Sequence, residues 1–441
     1  MTLRATPFAP YLRGVSQFFN TVDLWLLAAT SFLVWTGLTV LNSRQTAGYF
    51  DKQIDFMWAG LVLLVVFSAI PYKVWLQKWV NISMYVVNLG LLVAVMLKGH
   101  SALGAQRWLS IGPITLQPSE IAKLVVIFTL SAWLRRFPIK SFFDIFKAAA
   151  IIAAPAVLVF KQPDLGTSLT FGAVFLGTVY WAGASVMDIL VLASPVITLI
   201  LNAISDTDMA GPLGEKLWLY WIGALGVTLL LFWRHKGWKH IAIRFLMLLV
   251  ILGANYEAGK MRPHMWGMLK EYQQKRLTSF VNPYEDPRGS GYHILQSLIA
   301  IGSGGLNGAG IGKGNQSQGA FIPERHTDFI FAVVGEELGF RISALVVLAY
   351  AIICVRSLMI AYQSKNEPGG SIMSIAFMCL FLFHVFLNIG MTIGIMPVAG
   401  VPLPFLSYGG TALIVDLVSI GLLQSIRRGN PPEKRSDMGV V

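Results

Sequence analysis

From Leu24 onward the sequence runs repeatedly for roughly 16–25 residues with hardly a charge, breaks into a short polar turn, and begins again. A helix of that length spans a hydrocarbon layer of about 30 Å, where every backbone polar group must be satisfied within the segment itself. Composition agrees: of 441 residues, 55% are hydrophobic and 13% charged, against about a quarter charged in a soluble domain. The expected fold class is all-α, a polytopic transmembrane helix bundle of about 10–12 spans with one long extracytoplasmic loop. We place spans at about 24–41, 55–71, 82–97, 120–134, 146–160, 168–183, 187–203, 217–233, 242–256, 328–355, 371–395 and 411–426. The run Leu24 to Leu41 has no small-residue cleavage site close behind it, so it is expected to be a span rather than a cleaved signal.

The formal charge of +12 raises the question of nucleic acid. With a cytoplasmic N-terminus over residues 1–23, eighteen Lys and Arg residues fall in cytoplasmic segments and six in short outer loops. That asymmetry is the positive-inside rule, so the charge reports topology and no nucleic-acid partner is expected. The long segment 257–327 is exempt, because long loops translocate largely regardless of charge. The tail 427–441 then returns to the cytoplasm, and the whole of 1–441 is expected to be one integral membrane domain. Cys354 and Cys379 fall inside predicted spans, where small apolar packing is the ordinary use and a disulfide has none.

Two stretches interrupt the pattern, Gly99 to Glu120 and Glu257 to Thr327, and both face outside in this topology. A loop as long as the second, rich in glycine, charge and aromatics, is expected to be functional. Glu120 and Lys123 stand three apart at the start of a span, on one helical face, as a structural ion pair or as the lining of a polar cleft. For Glu336, Glu337, His384 and Asp416, packing or hydrogen bonding is the favoured role over catalysis. Asp286 lies between Glu285 and Pro287, whose ring biases it towards extended geometry; it is either a fixed base or an acceptor of turn hydrogen bonds. The run Gly302 to Gly314 holds enough glycine to approach a phosphate or to pack re-entrant backbone, and it lacks the Gly-Lys-Ser/Thr ending of a nucleotide loop. Pro323 to Ala332 brings charge directly against an apolar span, as a helix cap or an anion site.

Taken together, the words QRWLSIGPITLQPSEIAKL, QPDLGTSLTF, NPYEDPRGSGYHILQSLIAIGSGGLNGAG, FIPERHTDFIFAVVGEELGF and PVAGVPLPFLSYGGT, in this order from about residue 100 to 425, resemble the successive motifs of the SEDS glycosyltransferases, the RodA and FtsW group. The resemblance implies a peptidoglycan glycosyltransferase in the bacterial cytoplasmic (inner) membrane, polymerising lipid II on the outer face. It implies a class B penicillin-binding protein as transpeptidase partner, and contact with the growing glycan strand, membrane lipids and the elongation machinery. The position of the family's Asp-Pro carboxylate is Asp286, which makes it the implied catalytic residue. GYHILQSLIAIGSGG and SQGAFIPERHTDFIF are closer to RodA than to FtsW, which points to cell elongation rather than division. Family members usually show ten spans, so an additional pair is expected among the three spans between Met187 and Glu257.

The implied reaction converts an α-linked lipid diphosphate sugar into a β-1,4 glycan and therefore inverts the anomeric carbon. It needs a base for the attacking hydroxyl and positive charge for the departing diphosphate. Asp286 is the candidate base. Lys123 and Arg107 are the first candidate cations, followed by Arg276, Arg325 and His326, with a divalent ion (Mg or Mn) as an addition. Glu120, Asp164 and Ser407 complete the substrate-binding set through the same matched words. The rival from another class is a lipid II flippase or other transporter using Glu120, Lys123 and Asp416. Against it stand the lack of internal repeats and the gathering of motifs in outer loops rather than at midplane.

Overall fold

Each of the twelve predicted spans falls on a helix in the computed structural model of the protein. It describes residues 22–42, 47–102, 105–111, 114–162, 164–205, 216–235, 241–260, 274, 283–284, 291–319, 321–322 and 324–429. The helices are α1 (Leu24–Leu41), α2 (Ala47–Ala69), α3 (Lys78–Lys98), α4 (Pro118–Arg136), α5 (Phe142–Lys161), α6 (Leu165–Trp181), α7 (Val186–Ser205), α8 (Leu217–His235), α9 (Ile241–Lys260), α10 (Tyr292–Ser303), α11 (Asn315–Gln318), α12 (Ile330–Gln363), α13 (Pro368–Thr392) and α14 (Gly410–Gly429). Among the described residues, seven helices are long and apolar enough to cross a membrane: α1, α2, α3, α5, α12, α13 and α14. The protein is thus a multi-pass membrane protein. Helix α4 carries Glu120, Lys123, Arg135 and Arg136 within 19 residues, and α6 has only 17, so neither reaches that standard alone.

Residues 1–183 with 296–441 form one unit, and residues 184–295 a second. In the first, α14 packs on α2, α12 on α13 and α1, and α13 on α6. Phe128, Tyr350, Phe377, Phe381 and Phe405 are fully buried in its core. Lipid is as apolar as leucine, so these helices gain most by close approach and interhelical hydrogen bonds. Gly421 of α14 shows the first: a Cβ there would lie 2.5 Å from the Leu64 carbonyl oxygen of α2.

Arginines gather at one end of this unit. Asp23, fully buried, caps α1 by accepting from the Leu26 N–H and receives Arg356 of α12 at 2.7 Å together with Arg427 of α14. Gln424 completes the join through two hydrogen bonds to the Asp23 backbone, at 2.8 and 3.0 Å.

At the opposite end, four features were not expected. Strands β1 (His100–Ala102), β2 (Ala105–Ile111) and β3 (Ile114–Leu116) form a three-stranded antiparallel sheet in the order β1-β2-β3, with Leu109 opposite Leu116. Helix α2 starts at Ala47, ahead of the predicted 55, because its polar first turns are useful: buried Gln53 bonds the Ser407 carbonyl and the Gly409 N–H. The span predicted as 328–355 is two helical pieces, broken at Gly339 (φ 77°, ψ −179°). The second half of the predicted long loop is also partly helical, as α10 and α11, with Ser297 of α10 bonding the Thr392 carbonyl at 2.7 Å.

The second unit contains α7, α8 and α9, the three spans in which an additional pair was expected. A buried polar seam joins α7 to α9. Asn255 donates to Ser194 and accepts from Thr198 at 2.7 Å, and Asn202 bonds the Gly259 carbonyl. Polar side chains of this kind hold helices together where apolar contact gives no preference over lipid.

Candidate active site at the sheet end of the bundle

Pro118 opens α4, at a position where its missing N–H has no helical partner to lose. One turn in, Glu120 and Lys123 pair at 2.7 Å with side chains 3% and 2% exposed. The ammonium is therefore already engaged, and both residues line the interior of the bundle. Near them lie two further buried polar side chains, Asp416 of α14 and His384 of α13.

At the mouth of α4, strand β2 delivers Arg107 to within 3.8 Å of Asp164. Asp164 is buried and caps α6, accepting from the Thr167 N–H and, at 2.9 Å, from its hydroxyl; it also lies 3.3 Å from the Ser119 hydroxyl. Arg107, Ser119 and Asp164 thus form one polar cluster at the first turn of α4, where Ser119 immediately precedes Glu120. The Gln117 N–H ties this turn to Thr411 at the start of α14.

A second cluster forms around residues 324–329. The His326 ring stacks on Tyr49 at 4.2 Å and leans on Tyr408, whose N–H donates to the His326 carbonyl at 2.8 Å. Burial here pushes the imidazole pKa below its ordinary value, with Glu324 opposing and Arg325 adding to the shift. His326 is thus a neutral partner at neutral pH, which weakens the cation role expected of it. Arg325 donates to the Ser317 carbonyl, and Ser407 uses its hydroxyl twice, donating to the Thr327 carbonyl (2.7 Å) and accepting from the Leu403 N–H (2.8 Å). Ser407 is therefore a clamp between two turns. Asp286 and Arg276 lie outside the described residues.

The glycine run takes the packing role, one of the two left open. Carbonyls freed by the break at Gly339 are met by the run itself: Ala309 and Gly310 N–H groups donate to Glu336 and Glu337 oxygens at 2.9 and 3.0 Å. The Glu336 carboxylate accepts from the Gln316 and Ser317 N–H groups, and that of Glu337 from the Gly312 N–H and the Ser317 hydroxyl. A Cβ on Gly308 would lie 2.2 Å from the Glu337 carbonyl oxygen, so only glycine permits this approach. The Gly308, Ala309, Gly310 and Gly312 amides are thereby occupied within the protein.

Sequence reasoning missed Tyr49, Gln53, Ser119 and Tyr408. The signal available for the first two was the polar, aromatic stretch just ahead of an apolar run, which reads as a loop until its partners are known. Among the described residues no three His, Cys, Asp or Glu side chains gather as a metal-ligand set.

Similarity to known proteins runs nearly the length of the chain. The FtsW/RodA/SpoVE family, described as "Cell cycle protein", matches residues 18–210 and 213–431. The peptidoglycan glycosyltransferase MrdB of Escherichia coli (strain K12) is 36% identical over 405 residues, 91% of this chain and 92% of that protein. The peptidoglycan glycosyltransferase RodA of Treponema pallidum (strain Nichols) is 32% identical over 439 residues, 94% of this chain and 98% of that protein. A chain from a peptidoglycan synthase complex, solved to show coordination of polymerization and crosslinking, superposes with TM-score 0.66 at 26% identity, covering 93% of this chain and 98% of that one. The matched residues include all five motifs from which the resemblance was drawn, and the chain belongs to the FtsW/RodA/SpoVE family.

Proposed function

We infer that the protein is a peptidoglycan glycosyltransferase that polymerises lipid II into β-1,4 glycan strands during cell elongation. The observation that carries this is the 36% identity to a peptidoglycan glycosyltransferase across more than nine-tenths of both chains. The family match runs through both structural units, which supports treating residues 1–441 as one functional membrane domain.

The proposed chemistry is a single displacement. The acceptor 4-hydroxyl attacks the anomeric carbon, its proton passes to Asp286, and undecaprenyl diphosphate departs from the opposite face with the bonding electron pair. One good base contributes about 10²–10⁴ in rate. Arg107 is the better placed of the two leading cations, because Lys123 lies deeper and is held by Glu120. Lys123 then acts on the diphosphate through the field of the cluster, and Glu120, Asp164 and Ser407 hold the cations and turns in place. Arg276 and Arg325 are assigned to the same diphosphate. A divalent ion, Mg or Mn, would add counter-charge to the diphosphate, although no carboxylate or histidine cluster among the described residues would hold it.

We place the protein in the bacterial cytoplasmic membrane with this site on the outer face. The support is the clustering of Lys73, Arg135, Arg356, Arg427 and Arg428 at the other end of the bundle, as the positive-inside rule asks. A class B penicillin-binding protein is the proposed partner, supported by the likeness to a chain of a synthase complex. Purified protein supplied with labelled lipid II, in detergent and in sealed vesicles, tests the reading. Glycan polymer is the expected product; movement of lipid II across the bilayer without polymer would establish the flippase instead.

A further inference from the structure

Gln53 is buried in the second turn of α2, and its side-chain amide is engaged on both sides. The NH2 donates to the Ser407 carbonyl at 3.1 Å and the oxygen accepts from the Gly409 N–H at 3.2 Å, so the two bonds bracket Tyr408. A carboxamide offers donor and acceptor side by side, as a neighbouring peptide unit would. An apolar side chain at this position would leave a buried carbonyl and a buried N–H unpaired.

The bracketed stretch joins the two clusters of the site. On one side the Tyr408 N–H donates to the His326 carbonyl at 2.8 Å, and the Ser407 hydroxyl to the Thr327 carbonyl at 2.7 Å. On the other, Gly409 leads into α14, where the Thr411 hydroxyl accepts from the Gln117 N–H at 3.2 Å, two residues ahead of Ser119 and its Asp164 contact. Tyr49, one helical turn before Gln53, stacks on the His326 ring and meets Tyr408 edge-on at 4.8 Å. Helix α2 therefore holds one segment twice, by a backbone bracket and by a ring. At 2% exposure Gln53 lies too deep to touch a lipid-borne sugar, so any part it has in the reaction is taken through these neighbours.

The opposite end of the same unit supplies a comparison. Gln424 is also buried and makes the same pair of amide bonds, to the Asp23 N–H and carbonyl, at 2.8 and 3.0 Å. Two glutamines thus brace the bundle in one manner, and only Gln53 does so beside the residues assigned to the diphosphate.

We propose that Gln53 is a positioning residue for glycosyl transfer: by bracketing Tyr408 it fixes the Arg325–His326 segment relative to the Arg107–Asp164 cluster. This rests on the glycosyltransferase reading, so one of the two readouts needs no activity. In the full-length protein, lipid II polymerisation is resolved into kcat and KM, and the His326 pKa is followed by deuterium exchange at the ring C2 position with mass spectrometry.

Gln53→Met keeps length and bulk but can make neither bond, and Gln424→Met is the same lesion at the far end. Both are expected to lower the unfolding temperature. Gln53→Met alone is expected to lose about 10²-fold in kcat, the order of loss for a group misplaced by an ångström, with KM within about threefold. It alone should let the His326 pKa rise towards the ordinary value of about 6.5, because a loosened ring regains water. Gln424→Met is expected to keep kcat within about threefold and leave His326 unmoved. Equal losses of kcat in the two variants, or no loss in Gln53→Met, would reduce Gln53 to a brace like Gln424 and overturn the proposal. An unmoved His326 pKa in Gln53→Met would overturn it as well. If Gln53→Met is not recovered folded, Ser407→Ala decides, since it cuts the link to Thr327 downstream of the bracket: kcat should fall and the His326 pKa rise, and either one unmoved overturns the proposal. If the unaltered protein makes no polymer, the glycosyltransferase reading fails, while the His326 titration still measures the link.

Discussion

Lys123 and Glu120 meet at 2.7 Å inside the bundle, where water has almost no access to either. Breaking such a pair from one side strands the other charge, at a cost of about 3–5 kcal/mol, so its two members have to be tested together. Lys123→Met is expected to reduce the thermal stability of the purified protein and polymerisation by roughly 10²-fold. Lys123→Met with Glu120→Leu is expected to recover the stability but not the activity. Recovery of both would reduce the pair to a structural bridge.

Asp286→Asn is expected to insert and bind its transpeptidase partner normally while losing about 10²–10⁴ in polymerisation rate, because the amide cannot take up the attacking hydroxyl's proton. Labelled lipid II in a gel assay measures the loss. Full activity in this variant would return Asp286 to the role of a turn acceptor.

His326 gives a pH dependence with a definite sign. Burial lowers its folded pKa beneath the unfolded value of about 6.5. As pH falls the unfolded chain takes up the proton first, so the stability held above 6.5 is lost progressively below it. Thermal unfolding from pH 7.5 down to pH 5 should show a declining midpoint, and His326→Gln should flatten the decline. An identical slope in the variant would remove His326 from the titration.

Two glycines separate packing from mere flexibility. Gly308→Ala puts a Cβ 2.2 Å from the Glu337 carbonyl oxygen at φ +79°, and the backbone conformation alone costs about 1–3 kcal/mol. Loss of folded protein or a marked fall in unfolding temperature is expected. Gly302, late in α10, has no atom within 4 Å of its would-be Cβ, so Gly302→Ala should be neutral or stabilise by up to about 1 kcal/mol.

The bundle was legible because lipid forces each crossing segment to satisfy its own backbone, so apolar length reports helices almost directly. Glu336 and Glu337 could be read as hydrogen-bonding residues from their depth, but their partners lie about 20 residues earlier on a glycine run. Nothing local announces that register. The break at Gly339 was hidden for the same reason: its unsatisfied carbonyls are met by amides from another segment. At the site, the motif words singled out Arg107, Asp164, Glu120 and Lys123, and the structure brings Arg107 against Asp164 and Glu120 against Lys123. The work of Tyr49, Gln53 and Tyr408 depends on contacts between the first and last thirds of the chain, which periodicity does not encode.

That distance in sequence bears on how the chain is assembled. Asp23 stands at the head of the first helix, yet Gln424 and Arg427, which complete its surroundings, belong to the last; the Gln424 bond spans 401 positions. A ribosome adding about 5–20 residues per second leaves the first helix without those partners for tens of seconds. During that interval the Asp23 carboxylate must stay at the aqueous boundary rather than sink into the bundle. Closure of the unit therefore waits on arrival of the final helix, and chains cut short before Arg427 should persist as an inserted but open form within reach of membrane proteases.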